Sequence, residues 1–391
     1  MSKKIFIICV EKSGDIISSE VIQNLLYKIN DFEIIGIFGK SSEEVCLKNN
    51  IKYSKLFDIE KLSVMGFVEV LPKLFSIIRI IKATARKILE INPDLVVTID
   101  GYDFCTRVVK KVIQCNHNIK FFHIVAPTVW AYNNKRVKII QEYYKALFCL
   151  LPFEVDMFKN NSLKTYFIGY PAVYKNLQQK IEYNDYLANN FKPTNRNQII
   201  SITLGSRVQE NKRHFIIIKN VIKRILEHSR NVDFFILSTP ELMDQTEDLI
   251  SNFEEKISVI SDEVEKINIA KKSSLIIAKS GTNTMEFVAM GLPLIVYYNL
   301  SIITMFVILK VKKLKIRLVN LFNIYKNKEI IPEFVFNGKC NSEDISKIAI
   351  EYLSDENKIK NQLSQTSEIV KFTRERHPCL YVAEIIVDFL K

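Results

Sequence analysis

The chain is poor in the residues that force specialised architectures. Its 391 residues include ten glycines, ten prolines and one tryptophan, which excludes collagen-like repeats and proline-rich linker character. Seven cysteines, Cys9, Cys46, Cys105, Cys115, Cys149, Cys340 and Cys379, are scattered without a CxxC pair. An odd, scattered set says little by itself and fits reduced, buried thiols of a cytosolic protein. The five histidines do not cluster at metal-ligand spacing, and P-loop, GxSxG, HExxH and GxGxxG patterns are missing. No metal, no bound nicotinamide and no other cofactor is expected. No secretory signal is expected either, because only the short run Ile5–Val10 separates Lys3 and Lys4 from Glu11. The uncharged stretch Leu292 to Leu309 just reaches the lower length limit of a membrane span. Pro293 and Asn299 interrupt it, so it reads as strand, loop and then an apolar helix touching lipid.

What is present is apolar substance and positive charge. Hydrophobic residues make up 48% and charged residues 25%, as in soluble globular proteins, and the length suits two domains. The net charge of +12 favours anionic partners. Lys82, Arg86 and Lys87 follow one apolar run; Lys310, Lys312, Lys313, Lys315 and Arg317 follow another. Such placement fits an anionic membrane surface or a solvated lysine-rich face. Nucleic acid is not expected as a partner, because the cations border aliphatic runs rather than exposed aromatics.

Short apolar runs alternate with helical stretches. Strands are expected at Ile5–Val10, Glu33–Phe38, Leu95–Ile99, Lys120–Val125 and Ala146–Leu151, with helices such as Ile16–Lys28, Leu71–Leu89 and Arg107–Gln114 between them. The pattern repeats with strands at Ile199–Leu204, Asp233–Leu237, Ile257–Ile260, Leu275–Ala278 and Leu294–Tyr298. This alternation predicts an α/β protein of two doubly wound, Rossmann-like domains. Residues 1–175 form the first, 176–370 the second, with a polar linker near 172–198. Residues 371–391 form a terminal helix expected to pack back on the first domain. Ligands of such sheets bind at the carboxyl ends of the strands, so an interdomain cleft is expected.

Five motifs sit at those ends. Glu11-Lys12-Ser13-Gly14-Asp15 follows the first strand, with Gly14 suited to a tight turn and Ser13 or Asp15 to a helix cap. Asp100-Gly101-Tyr102-Asp103 ends another strand with two carboxylates. Each suits a general base or a turn aspartate bonding its own backbone. His123 through Tyr132 carries the single tryptophan, Trp130, before Lys135 and Arg136, and reads as a packed aromatic loop or a phosphate contact. Leu204-Gly205-Ser206-Arg207, with Glu210 beyond, opens a helix in a pattern suited to a diphosphate. Ser280-Gly281-Thr282-Asn283-Thr284-Met285-Glu286 does likewise. There Thr282 or Asn283 with Glu286 also fits a capping box.

In this order, the motifs resemble the lipid-A-disaccharide synthase family, glycosyltransferases of the GT-B architecture. The resemblance extends to Ser63-Val64-Met65-Gly66-Phe67-Val68-Glu69-Val70, Pro127 through Ala131, Leu151-Pro152-Phe153-Glu154, Asn320 and Pro332-Glu333. It covers about residues 5–385. Val10, Thr203, Tyr170, Val319 and Phe336 depart from the family pattern.

The resemblance implies metal-independent, inverting transfer of 2,3-diacylglucosamine from UDP to 2,3-diacylglucosamine 1-phosphate. It places the enzyme peripherally on the cytoplasmic face of the bacterial inner membrane, with a homodimer possible. It implies Asp100 as base, helped by Glu11 and Ser13. Gly205, Ser206, Arg207, Ser280, Gly281, Thr282, Glu286 and Asn320 would hold the UDP-sugar. Val64, Met65, Phe67, Val68 and Leu71 would meet acyl chains or membrane. The rival readings are another GT-B enzyme using a UDP-N-acetylglucosamine-type donor, whether a lipid-linked transferase or an epimerase, and a non-catalytic basic membrane-surface protein.

Overall fold

The computed structural model describes residues 2–59, 67–129, 134–182, 185–186, 197–253, 255, 257–300, 318–335, 340–373 and 376–391, with the side chains of 67–74 and 134 left aside. Val64 and Met65, Trp130 and Tyr132, the basic run 310–317 and Phe336 lie outside that set. So do the side chains of Phe67, Val68 and Leu71. The chain packs as two units: Met1–Pro171 with Phe372–Lys391, and Ala172–Lys371.

In the first unit the elements run β1 (Lys3–Cys9), α1 (Lys12–Leu25), β2 (Phe32–Ile37), α2 (Lys40–Lys48), β3 (Lys52–Phe57), α3 (Phe67–Ile91), β4 (Leu95–Ile99), α4 (Tyr102–Cys115), β5 (Phe121–Ile124), α5 (Asn134–Tyr143), β6 (Ala146–Cys149), α6 (Glu154–Phe158) and β7 (Lys164–Phe167). The seven strands form one parallel sheet in the order β3-β2-β1-β4-β5-β6-β7. β4, β5 and β6 are buried along their whole length, as the continuous apolar runs require of strands covered on both faces. From β1 the chain first winds outward to β2 and β3, then returns to β4 and winds the other way. Right-handed crossovers therefore put α1 and α2 on one face and α3 and α4 on the other. The packing agrees: α1 lies on α2, and α3 lies on α4.

The second unit begins with α7 (Pro171–Leu177), whose first residue is the last of unit 1's leading segment. It continues β8 (Gln198–Thr203), α8 (Val208–His228), β9 (Val232–Leu237), α9 (Met243–Ile250), β10 (Ile257–Ile260), α10 (Glu263–Lys272), β11 (Leu275–Lys279), α11 (Asn283–Ala289), β12 (Leu294–Tyr297), α12 (Leu321–Lys326), β13 (Glu333–Phe334), α13 (Ser342–Ser354) and α14 (Glu356–Thr366). Its parallel sheet runs β10-β9-β8-β11-β12-β13. The last helix, α15 (Pro378–Leu390), belongs to the first unit, where it lies on α1. There Phe389 meets Phe122 with ring centroids 4.9 Å apart.

Three strands are not anticipated by the sequence reading. β3 alternates exposed and half-buried residues, β7 is mostly half-buried, and β13 has two residues. All are edge strands, which lack the apolar run that marks central ones. The polar region from 172 also holds more structure than a linker, since α7 lies there and Tyr186 is buried with its hydroxyl donating to the Ser274 carbonyl at 2.5 Å. Among the described residues no helix is long and apolar enough to cross a membrane.

The first motif is built differently from expectation. Gly14 is inside α1, not in a turn, and the helix starts at Lys12 with Glu11 as its N-cap residue. Asp15 caps α2, not its own helix. Its buried carboxylate accepts from the backbone N–H of Gly39 (2.8 Å), Ser41 (2.9 Å) and Ser42 (3.3 Å), and from the Ser42 hydroxyl (2.6 Å). The N-terminal amides of α2 have no helical partner, and a nearby carboxylate satisfies several at once. Asp15→Ala should therefore destabilise the first unit by about 2–4 kcal/mol, read from urea unfolding, with Asp15→Asn losing less. A loss below about 0.5 kcal/mol would remove the cap from the list of determinants.

Candidate functional site

In both sheets the strand order reverses at one point, between β1 and β4 in the first and between β8 and β11 in the second. Crossover connections leave in opposite directions there, opening a crevice outside the carboxyl ends of the two strands. Cys9 is paired with Ile99, and Thr203 with Ala278. The residues that follow are thus brought side by side: Val10-Glu11 with Asp100 in one unit, Leu204 to Arg207 with Lys279 to Thr282 in the other.

In the first unit Asp100 turns off the end of β4 with φ 54°. Val125, at the end of neighbouring β5, also has a positive φ, 76°, which strains a β-branched residue. Asp100 Oδ1 accepts the Gly101 N–H at 2.8 Å. Burial pushes the Asp100 carboxyl above its ordinary range, and the Gly101 bond only partly offsets it. Val10 sets the neighbouring residue: a Cβ on Gly101, which has φ 53°, would lie 2.2 Å from a Val10 methyl. Glu11 is half-buried, and Ser13 is exposed on α1. Asp103, the second carboxylate of the motif, is exposed in the first turn of α4. It pairs with Arg136 at 3.2 Å, while Arg136 also lies over the Tyr102 ring at 4.6 Å.

His123 is buried in β5. Its Nδ1 lies 2.6 Å from Thr98 Oγ1, whose own proton goes to the Phe122 carbonyl. Thr98 Oγ1 thus bridges the Phe122 carbonyl and His123 Nδ1, and Nε2 has no hydrogen-bond partner among the described residues. Burial lowers its pKa to about 3.

In the second unit the centre of the cluster is Glu210, a buried carboxylate in the first turn of α8. Its Oε1 accepts from the Tyr298 hydroxyl at 2.9 Å and lies 3.2 Å from Arg207; its Oε2 lies 3.6 Å from Lys279 Nζ. Burial pulls the Glu210 carboxyl upward, but Lys279, Tyr298 and Arg207 outweigh it and hold the pKa below its usual value. Burial holds Lys279 below the ordinary lysine range, with Glu210 compensating in part. Gly205 has φ 129°, and a Cβ there would meet Glu210 Oε2 at 2.8 Å, so only glycine lets the chain pass over this carboxylate. Ser206 is exposed beside it. On the β11 side a Cβ on Gly281 would lie 3.6 Å from Lys279 Nζ. Two cations from adjacent strand ends thus share one carboxylate.

The remaining predicted residues divide between exposed and structural positions. Ser280 is half-buried and its N–H donates to the Tyr297 carbonyl. Thr282 is the N-cap residue of α11 but sits in helical geometry (φ −61°, ψ −34°) and makes no side-chain cap. The capping-box reading is therefore not realised: a helical N-cap aims its hydroxyl away from the N3 amide. Burial, with Glu263 nearby, raises the Glu286 pKa, while Lys175 and Lys266 pull it back. Asn320 is buried and fully engaged. Its Oδ1 accepts from the N–H groups of Phe322 and Asn323 to cap α12, its Nδ2 donates to Thr284 Oγ1 at 3.1 Å, and its own N–H goes to Glu333 at 2.7 Å. Thr203, one of the departures from the family pattern, ties the two strand ends together, since its Oγ1 accepts from the Lys279 N–H and from Asn283 Nδ2.

Sequence reasoning missed Lys279, Tyr298 and His214. Lys279 had a signal, as the one charge ending an otherwise apolar strand. His214 had none. It is buried beside Tyr297 and Tyr298, with Nδ1 2.5 Å from the Leu204 carbonyl and Nε2 unpartnered among the described residues. Burial lowers its pKa to about 4.

Two doubly wound parallel sheets, each with its own switch point, are the Rossmann-like pair of the GT-B class. Solved structures share that fold. The chain matches a UDP-GlcNAc 2-epimerase from Neisseria meningitidis bound to UDP-GlcNAc (TM-score 0.58, 14% identity, 99% of this chain and 98% of that one). It matches Acinetobacter baumannii MurG similarly (TM-score 0.55, 12% identity, 98% and 99%). At higher identity stand the lipid-A-disaccharide synthases of Rickettsia prowazekii (37% identical, 98% of each chain) and Rickettsia bellii (34%, 100% of each). The family model for lipid-A-disaccharide synthetase matches residues 5–381, and the chain belongs to that family. It is a glycosyltransferase of lipid A biosynthesis.

Both buried histidines bind protons more weakly in the folded chain than the ordinary 6.5. As pH falls below about 6.5, the unfolded chain takes up protons that the folded chain refuses until about 4 or 3. Stability from these groups is complete above that range and is lost toward lower pH. Urea midpoints should fall between pH 7 and 5, and His214→Gln should lessen the fall for the second unit. An unchanged fall in that variant would assign the acid sensitivity elsewhere.

Proposed function

We propose that the chain transfers 2,3-diacylglucosamine from UDP to 2,3-diacylglucosamine 1-phosphate, giving a β-1,6-linked disaccharide 1-phosphate and UDP. The observation that carries this reading is the family match, which runs through both switch points. The donor is assigned to the second unit. Arg207 and Lys279 meet the diphosphate, with Gly205, Ser206, Ser280, Gly281 and Thr282 lining its approach. Glu286 accepts from ribose hydroxyls. Asn320 positions this loop through Thr284 rather than touching the donor.

Asp100 is the base, oriented with help from Glu11 and Ser13. The acceptor 6-hydroxyl oxygen attacks the anomeric carbon as the bond from that carbon to the UDP oxygen breaks. The hydroxyl proton passes to Asp100, and the electron pair leaves with UDP. Attack opposite the leaving group inverts the centre. A carboxylate whose proton affinity is raised by burial accepts that proton more readily than an exposed one. The negative charge growing on UDP is stabilised by two cations already held in place by Glu210, so little reorganisation is needed.

Both substrates carry acyl chains. The enzyme therefore works from a membrane surface, assigned to the cytoplasmic face of the inner membrane. Val64, Met65, Phe67, Val68 and Leu71, before and within the start of α3, are assigned to lipid contact.

The test is mass spectrometry of detergent-dispersed reactions with both substrates, where disaccharide 1-phosphate and UDP should appear together. No product would overturn the reading. Asp100→Asn should lower kcat by about 10²–10⁴ and leave UDP affinity unchanged. The wild-type rate should rise with pH through a limb above the ordinary carboxylate range, a limb missing in the variant. Asp103→Asn should cost far less, and the reverse ranking would move the base to Asp103. Arg207→Ala and Lys279→Met should each weaken UDP binding about 10–100-fold in calorimetry, and unchanged affinity would move the diphosphate elsewhere.

A further inference from the structure

The first unit carries a second cluster of cations, exposed on two of its helices. A groove of about 370 Å³ runs between α3 and α4. Ile78 and Ile81 line it, with Lys82 from α3 and Arg107, Lys110, Lys111 and Gln114 from α4. The α4 residues fall at i, i+3, i+4 and i+7, so one helix face presents all of them. Among the described residues, four cations and one amide share the groove without a carboxylate. Of the described acidic side chains on these helices, Glu90 pairs with Lys87 and Asp103 with Arg136. Like charges this close repel unless an anion lies among them.

The surroundings say which anion. Phe75, one turn before Ile78 and Arg79 on α3, is 83% exposed. Ahead of it the helix sequence is Phe67, Val68, Val70, Leu71 and Leu74. From Phe75 to Lys82 the helix rises about 10 Å, on the scale of the layer between a bilayer's hydrocarbon and its polar surface. A soluble phosphate has no use for an apolar floor and an exposed phenylalanine, whereas a phospholipid needs both ends of this arrangement.

We infer that the groove between α3 and α4 binds the headgroup phosphate of an anionic phospholipid, with the start of α3 entering the acyl region. Resting on the membrane-surface reading above, the inference adds α4, which no apolar run in the sequence marks. Arg107, Lys110 and Lys111 serve as lipid ligands rather than as general positive charge.

The test is sedimentation with phosphatidylcholine vesicles containing or lacking phosphatidylglycerol. The variant is Arg107→Gln/Lys110→Gln/Lys111→Gln, in which all three side chains are exposed and the fold is spared. Its partition onto phosphatidylglycerol vesicles should fall about a hundredfold, each cation near an anionic surface being worth about fivefold. A matched variant, Lys48→Gln/Lys272→Gln/Lys347→Gln, removes three exposed charges elsewhere and should lose several-fold at most. Equal losses in the two would replace the groove by net charge, and no loss in the first would remove it. Calorimetry with inorganic phosphate should not distinguish the α4 variant from wild type; tight phosphate binding lost in that variant would make the ligand a soluble one. Turnover on detergent-dispersed substrates should be the same in the α4 variant and wild type. A protein that makes no disaccharide in detergent, yet loses vesicle binding in the variant, would sink the transferase reading and leave the groove standing.

Discussion

Parallel pairing of β1 with β4, and of β8 with β11, is the constraint on which the rest depends. A parallel sheet must be built by crossovers, and crossovers of one hand place helices on a face according to direction. Where direction reverses, no connection covers the strand ends. The residues proposed to carry the chemistry stand at those two gaps. The register that pairs Cys9 with Ile99 brings Glu11 beside Asp100, and the register that pairs Thr203 with Ala278 brings Arg207 beside Lys279. Thr203 reinforces the second, because its hydroxyl accepts from both the Lys279 backbone and the Asn283 side chain.

The two sites use burial in opposite ways. Around Asp100 few charges oppose desolvation, so the carboxyl binds its proton more tightly. Around Glu210 burial is overcome by Lys279, Tyr298 and Arg207, so the carboxylate stays ionised and holds two cations in place. Two buried carboxyl groups are thus shifted in opposite directions by their neighbours. In each unit a buried histidine is bonded through Nδ1 to an oxygen of the strand layer, and its Nε2 has no partner among the described residues. Both are kept neutral, so neither adds charge to its site.

Much of the fold was legible because central strands of a parallel sheet are apolar on both faces, and β6 and β12 show it as uninterrupted runs. Edge strands such as β3 and β7 are half-covered and leave no such trace. The placement of the candidate site residues was legible in part. Asp100 and Arg207 stand where a strand ends and a glycine or helix begins, which sequence order reveals. Asp15 was misassigned because a cap for its own helix and a cap for the next look alike in one dimension. Asn320 was placed in the donor site by its match to the family, whereas its side chain is consumed in capping α12 and holding Thr284.

The sequence by itself determined the alternation of strands and helices, the reversal-prone α/β class and the family, because these follow from local periodicity and the order of short motifs. Only the tertiary structure decided which charges meet. Lys279 and Glu210 are far apart along the chain and become partners through the β8–β11 register; Lys82 and Arg107 come to line one groove through the packing of α3 on α4. Electrostatic partnership depends on distance and burial in space, and neither is carried by spacing along a chain.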